Sequence, residues 1–316
     1  MSPRSAAWSL LAGACLAAGG AAAQDFRRTA VPGKELCLYW PVREYVYHYD
    51  AAGSLRTPEQ SEFAAMEASF DSWRTAAGTC SDFALRRAED LEAPEVAYVA
   101  DGGPNVNVLT FREQSCSEVV PQEDPCFREE SCGNRYRCWD HSDGTLALTT
   151  TTFSFRSGAI LDADVEFNSG PSGGGAGFLF TTVSGPPCDA EPLPGCVAID
   201  LQNTLTHELS HVVGLDHVSS AGSTMEATAP PGETQKRILD EGTLAGFCSV
   251  YPRGEPSLQC VDPATVRQTL QARGQGLAGL GCTSSGAALA PPLLLLLAGL
   301  LRRRSPVRPS AAGRTG

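Results

Sequence analysis

Eleven residues, His207-Glu208-Leu209-Ser210-His211-Val212-Val213-Gly214-Leu215-Asp216-His217, place three imidazoles and one carboxylate at spacings that suit a metal ion. On a helix, His207 and His211 stand one turn apart on the same face, so both rings can grip one ion. Gly214 lets the chain leave that helix with positive φ, and the bend returns His217 as a third ligand. Three neutral imidazoles suit a tetrahedral zinc whose fourth position is open to water, whereas structural zinc sites are closed by four protein ligands. Glu208, beside the first ligand, is then placed to take a proton from that water and pass it to a leaving amine. A bare His-Glu-x-x-His can arise on any amphipathic helix. Here three of the chain's five histidines share the stretch, with a glycine where the turn needs one.

The elements that must hold these residues can be read from periodicity. The site helix is predicted to start at Asp200 as N-cap and to bury Leu201, Leu205, Leu209 and Val212 on its back. Before it, a loop over 169–197 is rich in Gly and Pro. Leu146 to Phe153 and Ile160 to Phe167 read as a hairpin turning near Arg156-Ser157-Gly158, its Thr-rich first strand suited to a sheet edge. Asp162 and Asp164 in the second strand are calcium candidates, although a solvated alternate face is the favoured reading. Upstream, a strand is predicted through Leu38 to Tyr47. A helix is predicted over Ser61 to Ala77, with Phe63, Met66, Phe70 and Trp73 at helical spacing and Thr57 with Gln60 as a capping pair. Further strands are predicted at Val96 to Val99 and Val106 to Phe111. Residues 115–144 read as a stapled surface loop carrying a solvated His141, with His48 at a strand end. Downstream of the site, Thr234 to Glu241 and Leu244 to Tyr251 have helical character.

The spacing His-Glu-x-x-His-x-x-Gly-x-x-His resembles the metzincin signature, and Met225 within Ser223-Thr224-Met225, eight residues after His217, resembles the Met-turn of the matrixin branch. The specific motifs occupy residues 207–225, within a looser likeness over 36–252. The resemblance implies an α+β, metzincin-like zincin: a twisted mixed β-sheet with an active-site helix and a C-terminal helix, the latter at Leu244 to Pro252. It further implies a zinc endopeptidase acting on protein or peptide, with Glu208 catalytic, His207, His211 and His217 on the metal, and Met225 beneath them. The sheet-edge strand would pair with extended substrate through main-chain hydrogen bonds. Two family features are missing: no Pro-x-Tyr follows Met225, where the chain runs Glu226-Ala227-Thr228-Ala229-Pro230, and there is no Pro-Arg-Cys-Gly sequence. The specificity-pocket wall and a cysteine-switch latency therefore do not carry over.

Residues 1–23 follow a secretory leader pattern, with Arg4, an apolar stretch from Ala6 to Ala18 and Ala21-Ala22-Ala23 before Gln24. The organisation predicted is a leader at 1–23, the protease domain at 24–254 and a stalk at 255–281. A sorting or membrane-anchor segment with an arginine cluster follows at 282–304, then a basic end at 305–316. Gly281-Cys282, the apolar run Ala287 to Leu301 and Arg302-Arg303-Arg304 resemble a MYXO-CTERM sorting tail, with Cys282 as sorting residue and contact with a membrane through the tail before any processing. Export makes disulfides the expected state of the ten cysteines between Cys37 and Cys260, with Cys188 to Cys196 and Cys248 to Cys260 as the short-loop guesses. The net charge is −12, and Arg4, Arg302, Arg303, Arg304, Arg308 and Arg314 lie in the ends, so the body is more acidic still. An acidic body argues against nucleic acid as a partner; oligomeric state is not legible. Two rival readings are a zinc-containing surface adhesion module and a hydrolase of non-protein amides such as cell-wall crosslinks.

Overall fold

The computed structural model describes residues 25–260 except 102, 104, 130, 171–176 and 189–194. The leader at 1–23, the stalk beyond 260, the tail at 282–304 with Cys282 and the end at 305–316 lie outside the described residues. Among the described residues no helix is long and apolar enough to cross a membrane.

A short strand β1 (Arg27–Arg28) opens the domain, followed by β2 (Glu44–Tyr49), helix α1 (Ser61–Ala77), β3 (Ala84–Arg87) and β4 (Asn107–Arg112). Three short helices come next, α2 (Cys116–Val119), α3 (Cys126–Glu129) and α4 (Cys132–Tyr136), then the hairpin β5 (Ala147–Phe153) and β6 (Ile160–Asn168). The chain closes with β7 (Phe180–Thr181), β8 (Ile199–Asp200), α5 (Leu201–Val212), β9 (Leu215–Asp216) and α6 (Glu241–Val250). The main sheet has the order β3-β2-β4-β6-β5. Its pairs are parallel except β5 with β6, which puts one antiparallel strand at the edge beside α5. Together these make an α+β metzincin-like fold.

The core lies between the sheet and α1, α5 and α6. Period-two alternation in β2 sends Tyr45, Tyr47 and Tyr49 to that face, and Tyr47 stacks on Phe70 of α1 with ring centroids 3.6 Å apart. The predicted strand from Leu38 forms only from Glu44, because Pro41 lacks the donor a ladder needs. No strand forms at Val96 to Val99, where the Val96 and Val99 amides donate to the side-chain oxygens of Asn134 and Asn105. The strand at Ala84–Arg87 was missed, since its two arginines mark an exposed edge rather than an alternating strand. Thr57 does not cap α1 through a box with Gln60. A 3-10 turn at Pro58–Gln60 intervenes, Glu59 and Gln60 both take positive φ, and the Thr57 hydroxyl donates instead to the buried Glu62 carboxylate.

The second face of the sheet corrects a larger expectation. Asp162 and Asp164, expected on a solvated alternate face, are 2% and 1% exposed. The reason is that β6 is an interior strand whose second face is a buried polar layer: Arg112 pairs with Glu166, and Asp50 takes the Thr110 hydroxyl and the Arg137 guanidinium. The excursion over 115–144 covers part of this layer. His141 is not a free loop residue: its ring lies against Trp139 and its Nε2 is 3.3 Å from Glu166. His48 is buried in β2, with Nδ1 2.8 Å from the Glu89 carbonyl.

Asp164 accepts from the Val108 amide at 2.7 Å, but one oxygen of each aspartate has no hydrogen-bond partner among the described residues. Burial pushes both carboxyls up, and the neighbouring Asp162 charge adds to the rise of Asp164, which goes the further. A carboxyl raised on folding makes the folded state hold its proton more tightly, so stability falls as pH climbs from the unfolded range near 4 toward the folded value. Asp164→Asn keeps an acceptor for Val108 and removes that slope. It is expected to be more stable than wild type by about 1–2 kcal/mol near pH 8, with the gap closing toward pH 4. Urea unfolding at the two pH values checks this.

All ten cysteines from Cys37 to Cys260 are paired: Cys37–Cys260, Cys80–Cys248, Cys116–Cys138, Cys126–Cys132 and Cys188–Cys196. The short-loop guess joining Cys248 to Cys260 is therefore corrected. Packing of α6 on α1 brings Cys248 to Cys80 just past the α1 C-terminus. The chain then runs on to the opening segment, where Arg28 donates to the carbonyls of Leu258 and Gln259 at 3.0 and 2.7 Å. Residues 255–260, the start of the predicted stalk, thus include a strap tied to the body.

Candidate active site

Helix α5 forms because its apolar positions match the turn and because Asp200 caps it, accepting from the Asn203 amide at 2.7 Å. Leu201, Leu205, Leu209 and Val212 are buried against the sheet and α1. The last turn is held from outside. Trp40 Nε1 donates to the Val212 carbonyl at 2.8 Å and the Tyr251 hydroxyl to the Val213 carbonyl at 3.1 Å, so two carbonyls left orphaned at a helix end are satisfied.

Gly214 then turns the chain at φ +87°, against the Leu38 carbonyl. Strand β9 pairs antiparallel with β1, Arg27 bridges Asp216 at 3.0 Å, and His217 comes back over α5. Met225, which the resemblance expects beneath the metal, is buried in the core cluster, with its carbonyl accepting from the Val218 amide at 3.0 Å. Asp240, the N-cap of α6, accepts from the Thr224 amide at 2.7 Å and the Ser223 hydroxyl at 3.1 Å.

The three imidazoles meet at one point. Their ligand atoms lie within 4.8 Å of one another, and among the described residues this is the one such group of three or more His, Cys, Asp or Glu. His207 Nε2 and His211 Nε2 are each 3.1 Å from His217 Nε2. Their other nitrogens face carbonyls, which only accept: His207 Nδ1 to Thr224 at 2.6 Å, His211 Nδ1 to Leu215 at 3.0 Å. Both protons therefore sit on Nδ1, and both Nε2 atoms offer lone pairs to one ring nitrogen that can donate to a single partner. A cation among the three resolves the conflict. Zinc–nitrogen bonds of about 2.0–2.1 Å in tetrahedral array separate nitrogens by about 3.3 Å, close to what the rings present. Burial lowers the proton affinity of all three histidines, His207 most, which keeps them neutral as ligands must be. The donor set fits zinc.

Glu208 is buried beside the first histidine. Burial pushes its carboxyl up to about 7, while the Thr149 hydroxyl, 2.7 Å from Oε2, pulls the other way. Sequence reasoning missed Thr149 as the partner of Glu208, because nothing in a Thr-rich run says which threonine faces the helix. Asp240 was missed too; it precedes the predicted closing helix and resembles any N-cap.

The triad and Glu208 line a cleft of about 960 Å³. One wall is the edge strand β5, including Leu148 and Thr149; the other is the loop from Glu226 to Pro231 with Lys236 behind it. The family model for matrixin, a peptidase family, matches residues 104–252, from just before β4 to just past α6. No curated protein matches the chain. The match, over a metzincin-like fold whose cleft holds three convergent imidazoles, supports a metzincin-type zinc metalloprotease.

Proposed function

We propose that the chain is an exported, surface-anchored zinc endopeptidase in which His207, His211 and His217 hold zinc, Glu208 moves the proton and Met225 underlies the site. The carrying observation is the convergence of three neutral imidazoles beside a buried carboxylate, in a cleft bounded by an unpaired strand edge. Zinc, when bound, supplies the Lewis acidity that polarises a scissile carbonyl and acidifies water. Glu208, buried beside the triad, accepts a proton when ionised and returns it to the leaving amine when protonated. Thr149 fixes the carboxylate against β5, and the outer edge of β5, which pairs with no strand among the described residues, suits the addition of a substrate strand through its main-chain groups. Five disulfides support an oxidising compartment, as the leader pattern at 1–23 expects; the tail at 282–304 is the proposed anchor. The test is casein hydrolysis by purified protein: cleavage that a chelator stops and zinc restores supports the reading. Bound zinc with no cleavage of any protein would favour an adhesion module, and cleavage of peptidoglycan alone the amide hydrolase.

The Thr149 contact gives a pH prediction. Its hydrogen bond favours the ionised carboxylate, and a general base must be ionised to act, so losing the bond raises the pH at which activity switches on. Thr149→Val is expected to move the acid limb of kcat/KM up by roughly half to one pH unit. A limb that stays put would assign it to another group.

A further inference from the structure

We propose that Lys236 gives the cleft an acceptor-seeking subsite, so that substrates carrying Asp or Glu next to the scissile bond are preferred. This deepens the endopeptidase reading and rests on it for the word substrate. Lys236 is 2% exposed, yet it lines the cleft together with Asn203, Thr204 and His207 of α5. Its backbone amide is pinned to the Asn203 side-chain oxygen at 2.7 Å, which fixes where the side chain starts. An ammonium has three N–H donors. One goes to the Thr228 carbonyl at 2.6 Å and one faces Glu233 Oε1 at 3.4 Å; the third has no partner among the described residues. The loop beside it, Ala227 to Pro231, offers two alanines, two prolines and Thr228, and the carboxylates that line the cleft are engaged elsewhere: Glu208 with the Thr149 hydroxyl, Asp216 with Arg27 and Glu226 with the Gly222 amide.

A buried ammonium with a donor to spare is costly unless something accepts from it. Glu233 balances its charge, but at 3.4 Å the contact is an ion pair without a hydrogen bond, and Oε1 has no hydrogen-bond partner of its own among the described residues. A substrate carboxylate would supply the charged acceptor for that donor which Glu233, at ion-pair distance only, does not. A leucine at the same place would leave the donor unmet, which is how a polar site rejects an analogue that lacks the group.

The experiment uses the zinc-loaded full chain, immobilised, with two peptide pools randomised except for one central residue, Glu or Leu. Retained peptides are counted by mass spectrometry, so binding is read without cleavage. Wild type is expected to retain the Glu pool about tenfold over the Leu pool, and Lys236→Met to bring the ratio near one. Should Lys236→Met fail to fold, Glu233→Gln carries the test with the opposite sign: it leaves the ammonium in place, removes its competitor and is expected to raise the ratio several-fold. Equal or reversed retention by wild type, or a ratio that Glu233→Gln lowers, overturns the proposal. Cleavage by the same preparation is followed separately. A Glu preference without hydrolysis would sink the endopeptidase reading and leave the subsite standing; hydrolysis without a Glu preference would do the reverse.

Discussion

Glu208→Ala is expected to lower peptide hydrolysis about 10³-fold or more while the protein still takes up about one zinc per chain. The two outcomes separate because Glu208 shares the cleft with the triad but plays no part in holding its rings. Those are fixed by Thr224 and Leu215 through Nδ1, and Glu208 is tied to Thr149 instead. Removing the carboxylate leaves the metal donors where they are and takes away the one ionisable group placed to move a proton. Alanine also strands the Thr149 hydroxyl and opens space in a buried site, so Glu208→Gln is the matched control: it keeps volume and an acceptor but cannot take a proton. Zinc content by elemental analysis, beside casein cleavage, decides it. Full activity in either variant would remove Glu208 from the mechanism, whatever the metal does.

Gly214→Ala is expected to weaken zinc binding at least about tenfold and to lower the melting temperature by roughly 5–10 °C. At φ +87° any side chain is strained, and a Cβ would stand 2.6 Å from the Leu38 carbonyl oxygen. That oxygen is backbone and already accepts from Arg28 at 2.7 Å, so it has little room to retreat. The turn must open instead, and His217, three residues on, shifts against two ligands that α5 holds rigidly. A metal-buffer titration and a melt on the same preparation check both parts. Wild-type zinc affinity with a lowered melting temperature would mean that the bend supports the fold without setting the third ligand.

Much of the site was legible because its chemistry is local. His207 to His217 is one helix turn, one glycine and one return, and each has a sequence signature that does not depend on the rest of the chain. The α1 stripe and the β5–β6 hairpin were legible for the same reason, since their periodicity is set by the face they bury. What escaped depends on contacts distant in sequence. Asp162 and Asp164 alternate with Ala163 and Val165 as a solvated strand face would, and only the strand order, which makes β6 interior, turns that face inward. Cys248 has a near neighbour in Cys260, yet α6 packs on α1 and hands it to Cys80. The roles of Thr149 and Lys236 arise where α5 meets β5 and the loop after the Met-turn, so neither residue type nor spacing announces them.

The strap at residues 258–260 bears on how the protein would carry a mechanical load. A pull applied beyond Cys260 reaches the body first through the Cys37–Cys260 bond and the Arg28 clamp, 223 residues back in sequence. Tension then passes into the opening segment by a covalent route, bypassing α6, which is stapled separately to the end of α1 by Cys80–Cys248. The Ser223-Thr224-Met225 segment hangs from the N-cap of α6 and so lies off the line of force. With the anchor proposed above, the chain could in this way be dragged by its substrate without the three histidines being drawn apart.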